Sequence, residues 1–238
     1  MKHLIKSVFR TFGFDIKRIR HSKVTKPIDE GFVAILDDAD FQASVKEVSA
    51  ITMLDTPRLA NLWQLCRMSN PAGALIEVGA YKGGGALHMS NACPTRPIFV
   101  CDTFAGFGEL QIDQTVDRLF NRTQFDGAAL AEVQRPWADK GRDVRWIKGY
   151  FPESAANVDL SNISFAHIDT DLYESTAKTL NYLRPRLIDH SIVVFDDYLR
   201  SVDGVMKAVG EFTRANSDWA AFPMFPGQGL MIHRDWFG

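Results

Sequence analysis

Cysteine is scarce in this chain. Cys66, Cys93 and Cys101 are the only three in 238 residues, no two form a CxxC pair, and an odd number leaves one over. Neither a disulfide framework nor a zinc ribbon is indicated, and a reducing cytoplasm is the expected setting. Long apolar runs are also missing. None approaches the roughly 20 residues of a membrane span, and Lys6 and Arg10 interrupt MKHLIKSVFR too early for a signal peptide. There is no excess of one charge, since the formal net charge is -2, and the sequence shows no internal repeat or low-complexity tract. What is there is 46% hydrophobic residues, enough for one domain to bury a substantial core, with a segment appended to it.

The near-neutral total hides an asymmetry. Residues 1–26 carry eight basic side chains, among them Lys2, Arg10 and Lys26, against the single acid Asp15. Leu4, Ile5, Val8, Phe9 and Phe12 recur at helical spacing, which predicts a short basic amphipathic helix ending near Gly13. The first expectation for it is packing or a dimer contact, and hence a homo-oligomer. Peripheral contact with an acidic membrane surface is the second. Nucleic acid is not an expected partner, because no interleaved aromatic and basic platform follows. The chain therefore divides into a basic N-terminal helical arm over 1–50 and one domain over 51–238.

From residue 71 onward, short apolar runs alternate with helix-like segments, the pattern of a parallel sheet covered on both faces. Strands are predicted at ALIEVG, PIFVCD, VRWIKG, ISFAHID and SIVVFDD. Helices are predicted from near Gly84, over Phe125–Lys140, over Glu174–Leu183, where Pro185 ends the element, and over Gly204–Arg214. AFPMF and GLMIHR, joined by PGQG, read as a closing hairpin. Upstream, TPRLANLWQLCRM places Leu59, Leu62, Trp63, Leu65 and Cys66 on one buried helical face.

In open parallel α/β sheets the ligand site lies beyond the carboxyl ends of the strands. The residues there are Glu77 and Gly79, Asp102, Lys148 and Gly149, Asp169 and Asp171, and Asp196 and Asp197. A single acid there would be explained by helix capping; six converging on one rim are not. EVGAYKGGG follows a strand and opens a helix, so Gly79, Gly83, Gly84 and Gly85 permit a tight turn and close approach of a ligand to backbone amides. The spacing is not G-x-G-x-x-G, and Glu77 before the turn disfavours a pyrophosphate. The cationic, phosphate-free S-adenosylmethionine suits an acid there. Asp102 is placed to accept hydrogen bonds from ribose hydroxyls, a device shared with nicotinamide enzymes. The four aspartates Asp169, Asp171, Asp196 and Asp197 would repel one another unless protons or a cation intervened. All-oxygen ligands favour magnesium, or manganese or calcium, over zinc.

Four stretches, EVGAYKGGG, CDTFAGFGE, WIKGYFPES and HIDTDLYEST followed by VVFDDY, carry a resemblance to class I S-adenosylmethionine-dependent methyltransferases, and within them to the macrocin O-methyltransferase-like (TylF-like) family. The resemblance covers about residue 50 to the C-terminus. It implies a Rossmann-like fold with a mostly parallel seven-stranded sheet and a C-terminal antiparallel hairpin. It further implies methyl transfer to a hydroxyl of a sugar, a glycosylated natural product or a polysaccharide precursor. By similarity, Asp169, Asp196 and Asp197 would hold Mg2+, Asp171 would be the general base, and Glu77, Gly79, Tyr81, Gly83, Asp102, Thr103, Lys148 and Gly149 would line the methyl-donor site. Where family members often carry a glycine pair before the last parallel strand, this chain has Asp189, His190 and Ser191.

Two other acceptor or cofactor readings stand beside this one: a catechol or phenol acceptor on the same fold and metal, and a nicotinamide-dependent oxidoreductase. A noncatalytic scaffold acting through the basic arm is a fourth. His167 is read as a core strand histidine with a secondary role beside Asp169 as the alternative, and His88 as structural. Tyr173, Tyr198, Phe104 and Phe107 flank the same rim.

Overall fold

The computed structural model describes residues 35–121, 123–125, 128–199 and 203–237. The amphipathic helix expected near the N-terminus lies outside these residues. The chain divides into two compact units, Met1–Asp38 and Ala39–Gly238, and the elements that follow belong to the second.

In chain order these are α1 (Ala39–Val48), α2 (Thr56–Met68), β1 (Ala74–Val78), α3 (Gly84–Ala92), β2 (Ile98–Asp102), α4 (Leu130–Gln134), β3 (Val144–Lys148), β4 (Ile163–Ile168), α5 (Tyr173–Leu183), β5 (Leu187–Phe195), α6 (Asp203–Ala215), β6 (Trp219–Met224) and β7 (Gln228–His233). Among the described residues they form one seven-stranded sheet in the order β3-β2-β1-β4-β5-β7-β6. Strands β1 to β5 pair in parallel; β7 is antiparallel to β5 and β6 to β7. This is the expected sheet with its closing hairpin. Chain order reverses between β1 and β4, so the crevice beyond their carboxyl ends is the topological switch point where ligands bind in such sheets.

Central strands buried on both faces read as continuous apolar runs rather than alternating ones. All five residues of β1 and all six of β4 are buried. One sheet face, with Ile76, Val78, Phe99, Ile168 and Phe195, packs against Leu180 and Leu183 of α5 and Val205, Val209 and Phe212 of α6. The opposite face carries Glu77 and His167, which stand side by side in the β1–β4 register, and is covered by α3. Helix α1 packs on α2 and α3 through Phe41, edge-on to Trp63 and His88. His88 is locked there, between Ser44 Oγ at 2.8 Å and the Leu59 carbonyl at 3.1 Å. Burial pushes its pKa down to about 4, so it stays neutral and structural.

The predicted helix over 125–140 shrinks to α4 and a 3-10 turn over Arg135–Trp137. Phe125 has φ of +63°, which no right-handed helix contains, and Pro136 lacks the amide hydrogen that would continue the α pattern. Strand β5 begins four residues earlier than expected, at Leu187, with an irregular register against β4. His190 lies there at φ +57°, a conformation glycine adopts without cost, which explains why a glycine suits this position. It sits at the amino end of β5, away from the rim that carries the acids.

Candidate active site

A cavity of about 280 Å³ opens at the carboxyl ends of β1, β2, β4 and β5. It is built on a glycine turn whose need for glycine is steric. Gly79 has φ +89°, and a Cβ there would lie 1.9 Å from the Asp169 carbonyl oxygen, because the ends of β1 and β4 almost touch. At Gly85 a Cβ would meet Glu77 Oε1 at 2.1 Å, and at Gly84 the Ile51 carbonyl oxygen at 2.6 Å. The turn thus admits the Glu77 carboxylate beneath it and the α1–α2 connection above it.

Glu77 is buried and both its oxygens are engaged. Oε2 accepts the Ala86 N–H at 2.7 Å and Oε1 pairs with His167 Nδ1 at 2.8 Å. Burial raises its pKa, and the bonds to His167 and Ala86 oppose that rise. His167 is fully buried, and its Nε2 has no partner among the described protein atoms. Asp102, at the end of β2, accepts the Tyr81 N–H at 2.8 Å and the Phe104 N–H at 2.6 Å. Its pKa is raised by burial, again against the backbone donors. Glu77, Gly79, Tyr81, Asp102, Thr103 and Gly149 all line the cavity. Gly83 and Lys148 do not: Gly83, at φ +75°, caps α3 behind the turn against Val133, and Lys148 is exposed on β3.

Asp169, Asp171, Asp196 and Asp197 line the same cavity. Strand alternation does not bring them together as expected, for β4 ends at Ile168 and β5 at Phe195. The left-handed backbone of Asp171 (φ +61°) and Asp197 (φ +56°) turns the chain at these two positions. One carboxylate oxygen from each of Asp169, Asp171 and Asp197 lies within 4.8 Å of the other two. Burial, joined by the charges of Asp196, Asp171 and Asp197, pushes Asp169 well above the usual carboxylate range. Asp171 is pushed well up too, by burial and then by its hydrogen bond to Asp197 and the neighbouring charges. Asp196 differs: its Oδ2 is ion-paired with Arg58, while the buried Oδ1 has no hydrogen-bond partner. An all-oxygen donor set with an orphaned buried carboxylate oxygen at its edge fits a hard divalent cation.

The flanking aromatics divide. Phe107 lines the cavity and stacks edge-on with Phe125, which meets Tyr81 on the other side. Phe104 is a buried loop anchor against Trp146. The Tyr173 hydroxyl donates to Glu211 at 2.6 Å and Tyr198 packs over Gly229, so neither faces the site. Residues that the sequence reading passed over include Ile51–Leu54, Asp117 and Arg58. Asp117 is buried in the loop after β2, and its Oδ1 accepts the Tyr173 N–H at 3.0 Å, capping α5. Arg58 was signalled by its position: it precedes Leu62 and Cys66 by whole turns, a charge on the buried stripe of α2.

Comparisons with known proteins agree with this geometry. Residues 31–222 match the family model "Macrocin-O-methyltransferase (TylF)". The chain is 30% identical over 179 residues to a Streptomyces olivaceus enzyme, 8-demethyl-8-(2,3-dimethoxy-alpha-L-rhamnosyl)-tetracenomycin-C 4'-O-methyltransferase, covering 68% of this chain and 67% of that protein. It is 28% identical over 166 residues to demethyldecarbamoylnovobiocin O-methyltransferase of Streptomyces niveus, with 63% of each covered. Among solved structures, the O-methyltransferase NovP superposes with a TM-score of 0.65 at 24% identity, over 77% of this chain and 82% of that one. The calicheamicin methyltransferase CalS11 gives 0.61 at 20% identity, over 82% and 91%. No helix among the described residues is long and apolar enough to cross a membrane. The matched length, the sheet order and the acid-lined glycine-turn cavity agree, and the chain belongs to the macrocin O-methyltransferase (TylF) family of S-adenosylmethionine-dependent O-methyltransferases.

Proposed function

We propose that this enzyme methylates a hydroxyl of a sugar or of a glycosylated natural product, with a divalent cation, magnesium by preference, in the aspartate cluster. The observation that carries the reading is the cluster itself: Asp169, Asp171 and Asp197 converge beside the glycine turn, and the neighbouring carboxylates add to burial in pushing Asp169 and Asp171 well up. Such a set calls for a cation. The acceptor class follows from the names of the two curated relatives, one of which modifies a rhamnosyl group. Membership of a methyltransferase family removes the nicotinamide reading.

Asp169, Asp196 and Asp197 would hold the cation, which would serve as a Lewis acid toward the acceptor hydroxyls. Asp171, whose proton affinity is raised by burial and by its hydrogen bond to Asp197, takes the hydroxyl proton. The acceptor oxygen forms a bond to the methyl carbon as the carbon–sulfur bond breaks, and S-adenosylhomocysteine leaves. Gly79 and Asp102 seat the donor side of the cavity, and Phe107 and Phe125 exclude water from above. Most of the rate enhancement is alignment of oxygen, methyl and sulfur.

The test is transfer from labelled donor to a panel of sugar nucleotides, glycosides and catechols, with and without chelator. Chelator-sensitive labelling of a glycoside or sugar hydroxyl is expected. Labelling of catechols alone, or transfer indifferent to chelator, contradicts the proposal.

A further inference from the structure

Arg58 is the only cationic side chain among the described residues that line the cavity, against the carboxylates of Glu77, Asp102, Asp169, Asp171, Asp196 and Asp197. Its side chain is 8% exposed and each guanidinium nitrogen has an assigned partner. Nε meets Asp55 Oδ1 at 3.3 Å, Nη2 donates to the Met53 carbonyl at 2.7 Å, and Nη1 donates to Asp196 Oδ2. Asp55 also caps α2 by accepting the Arg58 N–H at 3.1 Å. The guanidinium is therefore fixed at the first turn of a helix, and a planar fork held this way can hold only one geometry at its free end. Asp196 receives that end. One oxygen is bound to Arg58, and the other, buried, has no partner.

We infer that Arg58 is a positioning residue: it holds one oxygen of Asp196 so that the other is presented, in one orientation, to the cation proposed for the cluster. This rests on the proposed cation site. A carboxylate that orients a ligand through a hydrogen bond is a familiar arrangement around metals, and loss of such a partner weakens metal affinity by about 10–100-fold. Arg58 does the same to a carboxylate from its other side, and sets a positive charge against Asp196. The same guanidinium ties down the Ile51–Asp55 connection, which passes over Gly84, so the cover of the cavity and the orientation of Asp196 depend on one side chain.

The test is Mn2+ binding to the full chain followed by paramagnetic resonance, without donor or acceptor, in wild type, Arg58→Lys, Asp196→Asn and the double variant. Lysine keeps the charge and loses the fork, and circular dichroism checks that each variant is folded. Expected are Mn2+ binding by wild type, a loss of about 10-fold or more in Arg58→Lys, and a double variant no weaker than Asp196→Asn alone. Arg58→Lys that binds as wild type does, or losses that multiply in the double variant, overturns the inference and leaves the cation site standing. Wild type without Mn2+ overturns both.

Discussion

Two groups of carboxylates share one rim of the sheet, and they are treated in opposite ways. On the donor side, Glu77 and Asp102 each receive N–H donors: Glu77 from Ala86 and His167, Asp102 from Tyr81 and Phe104. On the acceptor side, Asp169, Asp171 and Asp197 crowd within 4.8 Å, and Asp171 and Asp197 bond to each other. Glu77, Asp102, Asp169 and Asp171 all have raised proton affinity through burial. In the first group, the causes next in size are hydrogen bonds that oppose the rise; for Asp169 and Asp171 every further cause is a neighbouring carboxyl group that adds to it. In the proposed function the first group builds the turn that seats the methyl donor, whereas the second, a cluster of like charges, takes a cation.

That contrast can be broken most sharply at Asp171. Its replacement by asparagine should lower kcat by about 10²–10⁴-fold, while S-adenosylhomocysteine still raises the melting temperature as in wild type; a loss of both would place Asp171 with the donor-side acids. Glu77→Ala should do the reverse. It strands the Ala86 N–H and the His167 ring in a buried position, at a cost of about 1–3 kcal/mol each, seen as a lower melting temperature and weaker donor binding with Mn2+ affinity little changed. Asp117→Ala removes the cap of α5 next to Asp171 and should cost about 0.5–2 kcal/mol in chemical denaturation.

The smallest effect is in pH. Asp169 and Asp171 bind protons more tightly in the folded than in the unfolded protein, so their contribution to metal-free stability is fully present below the ordinary carboxylate range and lost as pH rises through the raised values. A cation replaces those protons. Its stabilising shift in melting temperature should therefore be larger at about pH 7.5 than at about pH 5.5; a shift independent of pH would mean that the cluster is not where it binds.

The sheet was legible in the sequence because doubly covered parallel strands leave unbroken apolar runs, as in IFVC and IVVF, that end in acids. The site acids were legible for the same reason: chain order alone puts strand ends on one rim. What escaped was set by tertiary contact. Nothing local shows that Asp196 meets an arginine 138 positions away, though a charge on the apolar stripe of α2 marked Arg58 as unusual. The loop after β2 carries no periodicity, so Asp117 as a helix cap and Phe125 as part of the roof could not be read from it. The helix predicted over 125–140 failed at Pro136, a signal that was present in the sequence. Lys148 lies at the end of β3, the edge strand of the sheet, and its side chain is exposed there rather than turned to the cavity.

The central claim is that the acceptor-side acids hold a cation and the donor-side acids do not. Calorimetric titration of Mg2+ or Mn2+ into wild type, Asp197→Asn and Asp102→Asn addresses it directly. The account predicts a single ion bound by wild type and by Asp102→Asn, and none by Asp197→Asn. Equal binding by Asp197→Asn and wild type, or no ion in wild type, would contradict it.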